Sequence, residues 1–279
     1  MVEIIQDDLD QKVSIRGKLI LNKKSKFQKI ELIKNKFFGK ILNLDKDFQL
    51  SEKDEFFYHE PFCHSSMCLH KNPQNVLIIG GGDGCLVREI LKYKTVEKVD
   101  LVEIDKTIIN ISKKYFNKLN KGSLNNKKVN IHIEEGSKYI DNLNEKYDVI
   151  FIDVTDPQGN NSNVLLYKDT FFKKIKKLLS KKGILNTYSG SPFFYPKSCK
   201  RIQNILRRNF KFVKPAIWYV PLYQTFISAS LCSNTFLNIT PNKIDLILKK
   251  RNIWDLKYYS GKIGFYIFNI PKCFALIFK

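Results

Sequence analysis

The feature that most constrains the fold is an alternation, beginning at Asn75, between short apolar runs and segments with helical spacing. Strands that alternate with helices predict a parallel sheet with helices on both faces. The predicted strands are VLIIG (76–80), KVDLVEID (98–105), VNIHI (129–133) and DVIFID (148–153), and the first predicted helices are LVREILKY (86–93) and KTIINISKKYF (106–116). Ligands of such sheets bind beyond the carboxyl ends of the strands, so we expect the functional residues in the loops that follow them.

Two further regions flank this alternating part. Residues 13–50 read as short extended segments with turn residues at Asn35 and Gly39, which predicts a small β-rich domain. We therefore predict an N-terminal β domain over residues 1–52 and a larger α/β domain over residues 53–279.

The segment KDTFFKKIKKLLSKKG (168–183) predicts an amphipathic helix that ends at Gly183. Its apolar face consists of Phe171, Phe172, Ile175, Leu178 and Leu179. Beyond residue 233, the pattern predicts only a strand near 262–268.

Composition bounds the class of protein. The chain has 279 residues, 43% of them hydrophobic, which suffices for one full domain and a small companion. Its six cysteines form no CxxC pair and no zinc-ligand spacing, so we predict reduced thiols, no metal site and a cytoplasmic location. The first twenty residues lack an apolar signal core, and no run of about 18 apolar residues predicts a membrane span.

The formal net charge of +21 raises the question of a polyanionic partner. Only six of the 48 basic residues are arginines, the residue type best suited to phosphate and base recognition. The lysines are spread along the chain, and those of 168–183 share the polar face of the predicted helix. We interpret the charge as a solvated surface and do not expect nucleic acid as a partner.

The loop after the first of these strands, GGGDG (80–84), is rich in glycine. Gly80, Gly82 and Gly84 permit a tight turn and close approach of a ligand to the backbone, next to the free N–H groups of a helix start. The dinucleotide fingerprint needs glycine at the position of Cys85, so NAD is disfavoured. The spacing resembles the nucleoside loop of the class I S-adenosylmethionine-dependent fold, and a glycine-rich turn without a ligand is the alternative.

Acidic residues follow the next two strands. Glu103 lies 19 residues past Gly84, where a carboxylate can accept both hydroxyl protons of a ribose. Asp105 is predicted to cap the helix that begins at 106. After the third strand, Glu135 and Gly136 are candidates for binding an adenine amino group, and a capped helix start is a nearly equal alternative.

Asp83 is predicted to discriminate between two kinds of sulfonium ligand. A carboxylate at this position repels the amino-acid carboxylate of S-adenosylmethionine at close range. Decarboxylated S-adenosylmethionine presents only an ammonium there. Asp83 therefore favours aminopropyl transfer over methyl transfer, with the decarboxylated compound as co-substrate and no tightly bound cofactor.

Two aspartates follow the fourth strand, Asp153 and Asp156. An aliphatic diamine is doubly protonated near neutral pH, because amine pKa values lie around 10. It attacks carbon only after one nitrogen loses its proton, and a carboxylate within hydrogen-bond reach can hold the ammonium and accept that proton. The alternative is a pair of acids that stabilises the turn before Pro157.

Together these motifs resemble those of the spermidine synthase (polyamine aminopropyltransferase) family. Similar segments follow in the family's order from about residue 27 to about residue 232. They are Phe27-Gln28, LDKDFQLSEKDEFFYHE (44–60), VLIIGGGDG (76–84), VREI (87–90), VEKV (96–99), LVEID (101–105), KKYF (113–116), DVIFIDVTDP (148–157) and KDTFF (168–172).

The resemblance implies roles for individual residues. Asp153 is implied as the proton acceptor, and Asp83 and Asp156 as ligands of the amine and of the aminopropyl end. Tyr58 and His59 are implied to line the amine channel, which Tyr223 closes. Tyr188 falls where many members have a substrate-contacting glutamine. The implied nucleoside-binding residues are Gln28, Gly80, Gly82, Asp83, Glu103, Glu135 and Gly136.

The resemblance also implies a small N-terminal β domain before a Rossmann-like domain of the class I S-adenosylmethionine-dependent transferases, assembled as a homodimer or homotetramer. The implied reaction transfers the aminopropyl group of decarboxylated S-adenosylmethionine to putrescine, giving spermidine and 5′-methylthioadenosine. Three alternatives stay open: another acceptor amine such as spermidine, agmatine or cadaverine; a class I methyltransferase; and a catalytically idle homologue that binds polyanions.

Overall fold

The structure, a computed structural model, describes residues 1–8, 11–155 and 166–279. Its first part is an antiparallel sheet of five strands in sequential order. The strands are β1 (Val2–Asp8), β2 (Gln11–Lys24), β3 (Lys29–Asn35), β4 (Gly39–Leu44) and β5 (Asp47–Ser51). β4 and β5 are joined by a two-residue turn in which Asp45 and Lys46 both have positive φ, as the right-handed twist of a tight hairpin favours.

One face of this sheet packs on the rest of the molecule. Alternate residues of a strand point to the same face, and Ile30, Leu32 and Leu42 form one buried cluster with Ile108 and Phe116 of the second part. The N-terminal sheet is therefore joined to the α/β part through a shared apolar core.

The second part is built on a seven-stranded sheet with the order β11-β12-β10-β9-β6-β7-β8. Its strands are β6 (Asn75–Gly80), β7 (Lys98–Glu103), β8 (Val129–Ile133), β9 (Tyr147–Asp153), β10 (Leu179–Gly190), β11 (Phe212–Val220) and β12 (Thr225–Ser233). Its helices are α1 (Phe56–Met67), α2 (Cys85–Ile90), α3 (Lys106–Tyr115), α4 (Gly136–Asp141), α5 (Asp169–Leu178), α6 (Pro196–Asn209), α7 (Pro241–Lys250) and α8 (Gly261–Tyr266). Of the helices in the described ranges, none is long and apolar enough to cross a membrane.

The predicted parallel sheet is confirmed for its central strands. β8, β7, β6, β9 and β10 are parallel neighbours, whereas β12 pairs antiparallel with β10 and β11 antiparallel with β12. Both faces are covered: on β6, Val76 and Ile78 belong to one core cluster, while Leu77 and Ile79 belong to another. The two parts together form the predicted small β domain and Rossmann-like domain.

Two predicted elements are wrong. The helix predicted over 168–183 ends at Leu178, because Leu179–Gly190 is strand β10, and Ile184 to Thr187 pair with β9 in the middle of the sheet. The strand predicted near 262–268 is helix α8, whose first turn is capped by Ser260 through the N–H of Ile263. In both cases, short apolar runs fit either period, and sheet pairing or a cap decided between them.

Candidate active site

The carboxyl ends of neighbouring parallel strands bring the predicted loops together. β6 ends at Gly80, which pairs with Asp153 at the end of β9. Gly80 has φ +88°, and a Cβ there would overlap the carbonyl oxygen of Asp153. The N–H of Gly81 donates to that same oxygen at 2.9 Å. The glycine at position 80 therefore allows Asp153 to lie directly against the glycine loop.

Asp83, the acid of this loop, is held from two sides. Its Oδ1 accepts the N–H of Cys85 at 2.6 Å and lies 3.6 Å from Nε2 of His59. Burial raises the pKa of Asp83, but the charge of His59 and these hydrogen bonds outweigh burial and hold the pKa below its ordinary value. Asp83 is thus a carboxylate at neutral pH.

His59, on α1, is the cation of this cluster and is 2% exposed. Its Nδ1 lies 3.0 Å from the Glu55 carboxylate, and its Nε2 faces Asp83. Burial lowers the pKa of His59, but the Asp83 and Glu55 carboxylates raise it to about 10. At neutral pH, an imidazolium therefore lies between two carboxylates.

Sequence reasoning missed the group that holds His59. The Glu55 carboxylate accepts two hydrogen bonds from the Arg88 guanidinium, at 3.0 and 2.9 Å. Burial raises the pKa of Glu55, but His59 and Arg88 together lower it below its ordinary value. The signal in the sequence was the four-residue spacing from Glu55 to His59, which brings both to one side of a helical turn.

Glu55, His59 and Cys85 also place possible metal-ligating atoms within 4.8 Å of one another. The Glu55 carboxylate is already bound by Arg88 and His59, and burial raises the pKa of the Cys85 thiol well above its ordinary value. A metal ion would have to displace a guanidinium and deprotonate both other ligands. The chemistry of these donors therefore fits an ion-pair chain.

Asp153 has the protonation behaviour of a general base. Its Oδ1 accepts the hydroxyl of Tyr58 at 2.6 Å. Burial is the main cause that raises the pKa of Asp153 to about 6; Asp83 raises it further, while His59 and the Tyr58 hydrogen bond oppose the rise. Such a carboxylate is ionised at neutral pH and binds a proton more tightly than an ordinary aspartate.

Another wall of the site is formed by β7 and the start of α3. Glu103 Oε1 accepts the N–H of Asp105 at 2.9 Å, and burial is the main cause that raises the Glu103 pKa to about 7. Asp105 accepts the N–H of Thr107, which confirms the predicted cap of α3. Gln28, from the turn between β2 and β3, donates its amide to Asp105 at 3.2 Å.

The third loop begins helix α4. Glu135 occupies the N-cap position, Gly136 is the first helical residue, and the Glu135 carboxylate accepts the hydroxyl of Ser137. A helix does start here, as in the alternative that we considered, but Glu135 makes no side-chain capping hydrogen bond to the backbone, and both residues also lie on the cavity wall.

A single cavity of about 570 Å³ joins these groups at the sheet edge. It lies between the two domains, because Gln6 and Val13 of the N-terminal sheet also line it. Asp156 lies outside the described residues. The predicted site residues that line the cavity are Gln28, Tyr58, His59, Gly80, Gly82, Asp83, Glu103, Glu135, Gly136, Asp153, Tyr188 and Tyr223.

One wall of the cavity is aromatic. The ring centroid of Tyr58 lies 6.1 Å from that of Tyr188 and 6.1 Å from that of Tyr223. The Tyr223 hydroxyl donates to the carbonyl of Gln49 at 2.7 Å. Asp47 and Gln49 of β5 also line the cavity, and sequence reasoning did not single them out. The arrangement combines carboxylates with aromatic faces, which suits an aliphatic cation.

Comparison with known families agrees with this geometry. A model described as the spermine/spermidine synthase domain matches residues 55–242, and one described as the spermidine synthase tetramerisation domain matches residues 2–52. The chain belongs to the spermidine synthase family. The chemistry of this family is aminopropyl transfer, and the chain is an enzyme of that class.

Individual relatives extend over most of the chain. A polyamine aminopropyltransferase of Methanocaldococcus jannaschii is 41% identical over 259 residues, which cover 90% of this chain and 85% of the relative. The crystal structure of spermidine synthase from Thermotoga maritima is similar with a TM-score of 0.90 at 27% identity, covering 100% of this chain and 94% of that one. A spermidine synthase in complex with the transition state analogue AdoDATO gives a TM-score of 0.91 at 28% identity, covering 99% and 94%.

Proposed function

We propose that the enzyme transfers the aminopropyl group of decarboxylated S-adenosylmethionine to putrescine, giving spermidine and 5′-methylthioadenosine. The observation that carries the proposal is the convergence of Asp83 and Asp153 in one cavity with a glycine loop and a ribose-type carboxylate, Glu103. The AdoDATO complex of a similar spermidine synthase supports a donor of this kind.

In this proposal the nucleoside lies between the glycine loop and the α4 start. Glu103 accepts hydrogen bonds from the two ribose hydroxyl groups, and Gly80 and Gly82 allow the ligand to approach the backbone. The other residues proposed for this side are Gln28, Glu135 and Gly136. Asp83 binds the ammonium of the aminopropyl chain, and its ionised state penalises a donor that carries a carboxylate there.

The acceptor amine lies between Asp153 and the tyrosines. Tyr58 holds Asp153 in place, and Tyr188 and Tyr223 contact the methylene chain. Asp153 accepts a proton from the attacking ammonium, the freed nitrogen forms a bond to the carbon next to sulfur, and that carbon–sulfur bond breaks with its electron pair left on sulfur. Asp156, as the resemblance implies, is a second ligand of the amine.

The charges of the cluster suit these cations. Arg88 compensates the charge of Glu55 and His59 that of Asp83, so Asp153 and Glu103 supply the remaining negative charge of the site. The sulfonium and the ammonium groups of the two substrates compensate these carboxylates when they bind.

The experiment is a donor and acceptor panel with the purified protein. Decarboxylated S-adenosylmethionine or S-adenosylmethionine is offered with putrescine, cadaverine, agmatine or spermidine, and products are identified by mass spectrometry. We expect spermidine and methylthioadenosine, with putrescine giving the highest kcat/KM. A higher kcat/KM for another amine would replace putrescine as the acceptor, methylated product from S-adenosylmethionine would indicate a methyltransferase, and no product with any pair would indicate an idle homologue.

We also propose that the protein is a homo-oligomer in which residues 1–52 form the N-terminal domain and residues 53–279 the catalytic domain. The match of residues 2–52 to the tetramerisation model supports this assembly. Light scattering after size-exclusion chromatography should give a mass of two or four chains, and a mass of one chain would contradict the proposal.

A further inference from the structure

The far wall of the cavity carries an acid to which the proposed reaction gives no role. Asp47 and Gln49 are two residues apart on β5, where the pairing with β4 shifts register, and both line the cavity. The Gln49 amide donates to Asp47 Oδ2 at 2.8 Å, which orients the carboxylate. Asp47 is half-buried, whereas the neighbouring Lys46 is exposed at the hairpin turn.

A row of contacts joins this acid to the reacting end of the cavity. Asp153 accepts the hydroxyl of Tyr58, the Tyr58 ring lies 6.1 Å from that of Tyr223, and Tyr223 donates to the Gln49 carbonyl. Burial raises the pKa of Tyr223 well above its ordinary value, and the charges of Asp47 and Asp153 both add to the rise. Tyr223 therefore lies within electrostatic reach of both carboxylates, Asp47 of the N-terminal sheet and Asp153 at the end of β9.

This arrangement matches the chemistry of an amine with two cationic ends. A carboxylate at each end pairs with an ammonium, and aromatic faces between them cover methylene groups and attract the cations. We propose that Asp47, oriented by Gln49, binds the non-reacting ammonium of the acceptor amine and so selects acceptors by their length. This inference rests on the proposed aminopropyl transfer.

The N-terminal domain then has a part in substrate choice. Asp153, Asp83 and the glycine loop belong to the α/β domain, whereas Asp47 and Gln49 follow the β4–β5 turn of the N-terminal sheet. The distance between the two ammonium sites is fixed by the packing of one domain on the other. An acid on only one domain would bind one ammonium and would not select acceptor amines by the distance between their two ammonium groups.

The test compares Asp47→Asn with the wild-type enzyme on acceptors that have or lack a second ammonium. We expect the kcat/KM for the preferred diamine to fall at least about tenfold, as for loss of a charged hydrogen bond, with the KM for the donor unchanged. The inhibition constant of n-butylamine, which has no second ammonium, should change less than about twofold. Across 1,3-diaminopropane, putrescine, cadaverine and spermidine, the differences in kcat/KM should shrink.

Glu52→Gln is the matched control. Glu52 directly follows β5, pairs with Lys40 and does not line the cavity. The substitution removes the same charge as Asp47→Asn, so the kinetic constants of the Glu52→Gln enzyme should stay near those of the wild type. Equal loss of diamine and n-butylamine binding in Asp47→Asn, or no loss in either, would overturn the role of Asp47. A wild-type enzyme that transfers no aminopropyl group to any amine would instead overturn the proposed function.

Discussion

The pKa of Asp153 is set by interactions of opposite sign. Burial and Asp83 raise its pKa to about 6, while His59 and the Tyr58 hydroxyl favour the carboxylate. A weaker base would not accept a proton from an ammonium, and a stronger one would already be protonated at neutral pH. Tyr58 and Asp153 are therefore expected to act as a pair.

Asp153→Asn removes the proposed proton acceptor and keeps the shape of the side chain. We expect turnover to fall by about 10²-fold or more, as for loss of a general base, while binding of methylthioadenosine changes little. Steady-state kinetics and calorimetric titration with methylthioadenosine measure the two effects. Near-normal turnover in this variant would remove Asp153 from the role.

Tyr58→Phe tests how the carboxylate is tuned. The tyrosine hydroxyl stabilises the ionised form of Asp153, so its loss should raise the pKa of Asp153 further. The acidic limb of the kcat/KM profile, which we expect near pH 6 in the wild type, should then move to higher pH. A limb that stays in place or moves to lower pH would show that another group controls it.

At the scale of elements, the packing of α1 on α2 builds a chain of ion pairs behind the site. Arg88 of α2 holds Glu55, Glu55 holds His59 of α1, and His59 faces Asp83. All four groups are largely withdrawn from water, so each charge depends on its neighbour. Glu55 is a positioning residue for His59.

Glu55→Gln tests this positioning role. Loss of the carboxylate should lower the pKa of His59 from about 10 by at least about one unit, because an opposite charge at hydrogen-bond distance is removed. An NMR titration of the His59 ring measures this directly. Glu97→Gln, on the surface of the same domain, should leave the titration unchanged. An unaltered His59 pKa in folded Glu55→Gln would contradict the chain.

At the scale of the whole molecule, buried carboxyl groups of the site destabilise the ligand-free protein at neutral pH. Burial raises the pKa of Glu103 from 4.5 to about 7 and that of Asp153 from 3.8 to about 6. Between about pH 4 and pH 7 these two groups hold protons in the folded chain that they have lost in the unfolded chain, so their contribution to the free energy of unfolding falls as pH rises. His59 adds the same sign at higher pH, since its stabilisation is lost as pH rises through about 10.

Glu103→Gln should therefore stabilise the ligand-free protein in a pH-dependent way. At pH 8 we expect the thermal midpoint to rise by about 2 to 4 °C, since the penalty for a buried carboxylate is removed. At pH 5, where Glu103 is protonated in the folded chain, the rise should nearly vanish. Scanning calorimetry at the two pH values checks this, and an equal shift at both would contradict it.

Local sequence was enough to predict the strands and helices around the site, the glycine loop and the acids Asp83, Glu103 and Asp153. These follow from local periodicity and from where parallel strands end, which neighbouring residues in the chain encode. Local pattern could not end α5 at Leu178 or turn 262–268 into α8, because sheet pairing and a cap chose between two periods that short apolar runs satisfy equally.

Groups that lie far apart in the sequence come together only when the chain folds. Arg88 reaches Glu55 from another helix, and Asp47 enters the cavity from another domain. Their effect depends on distance and on exclusion of water, and both are set when the N-terminal sheet and the α1–α2 pair pack on the parallel sheet. The sequence therefore shows where the carboxyl groups are, whereas their pKa values and their hydrogen-bond partners depend on the folded chain.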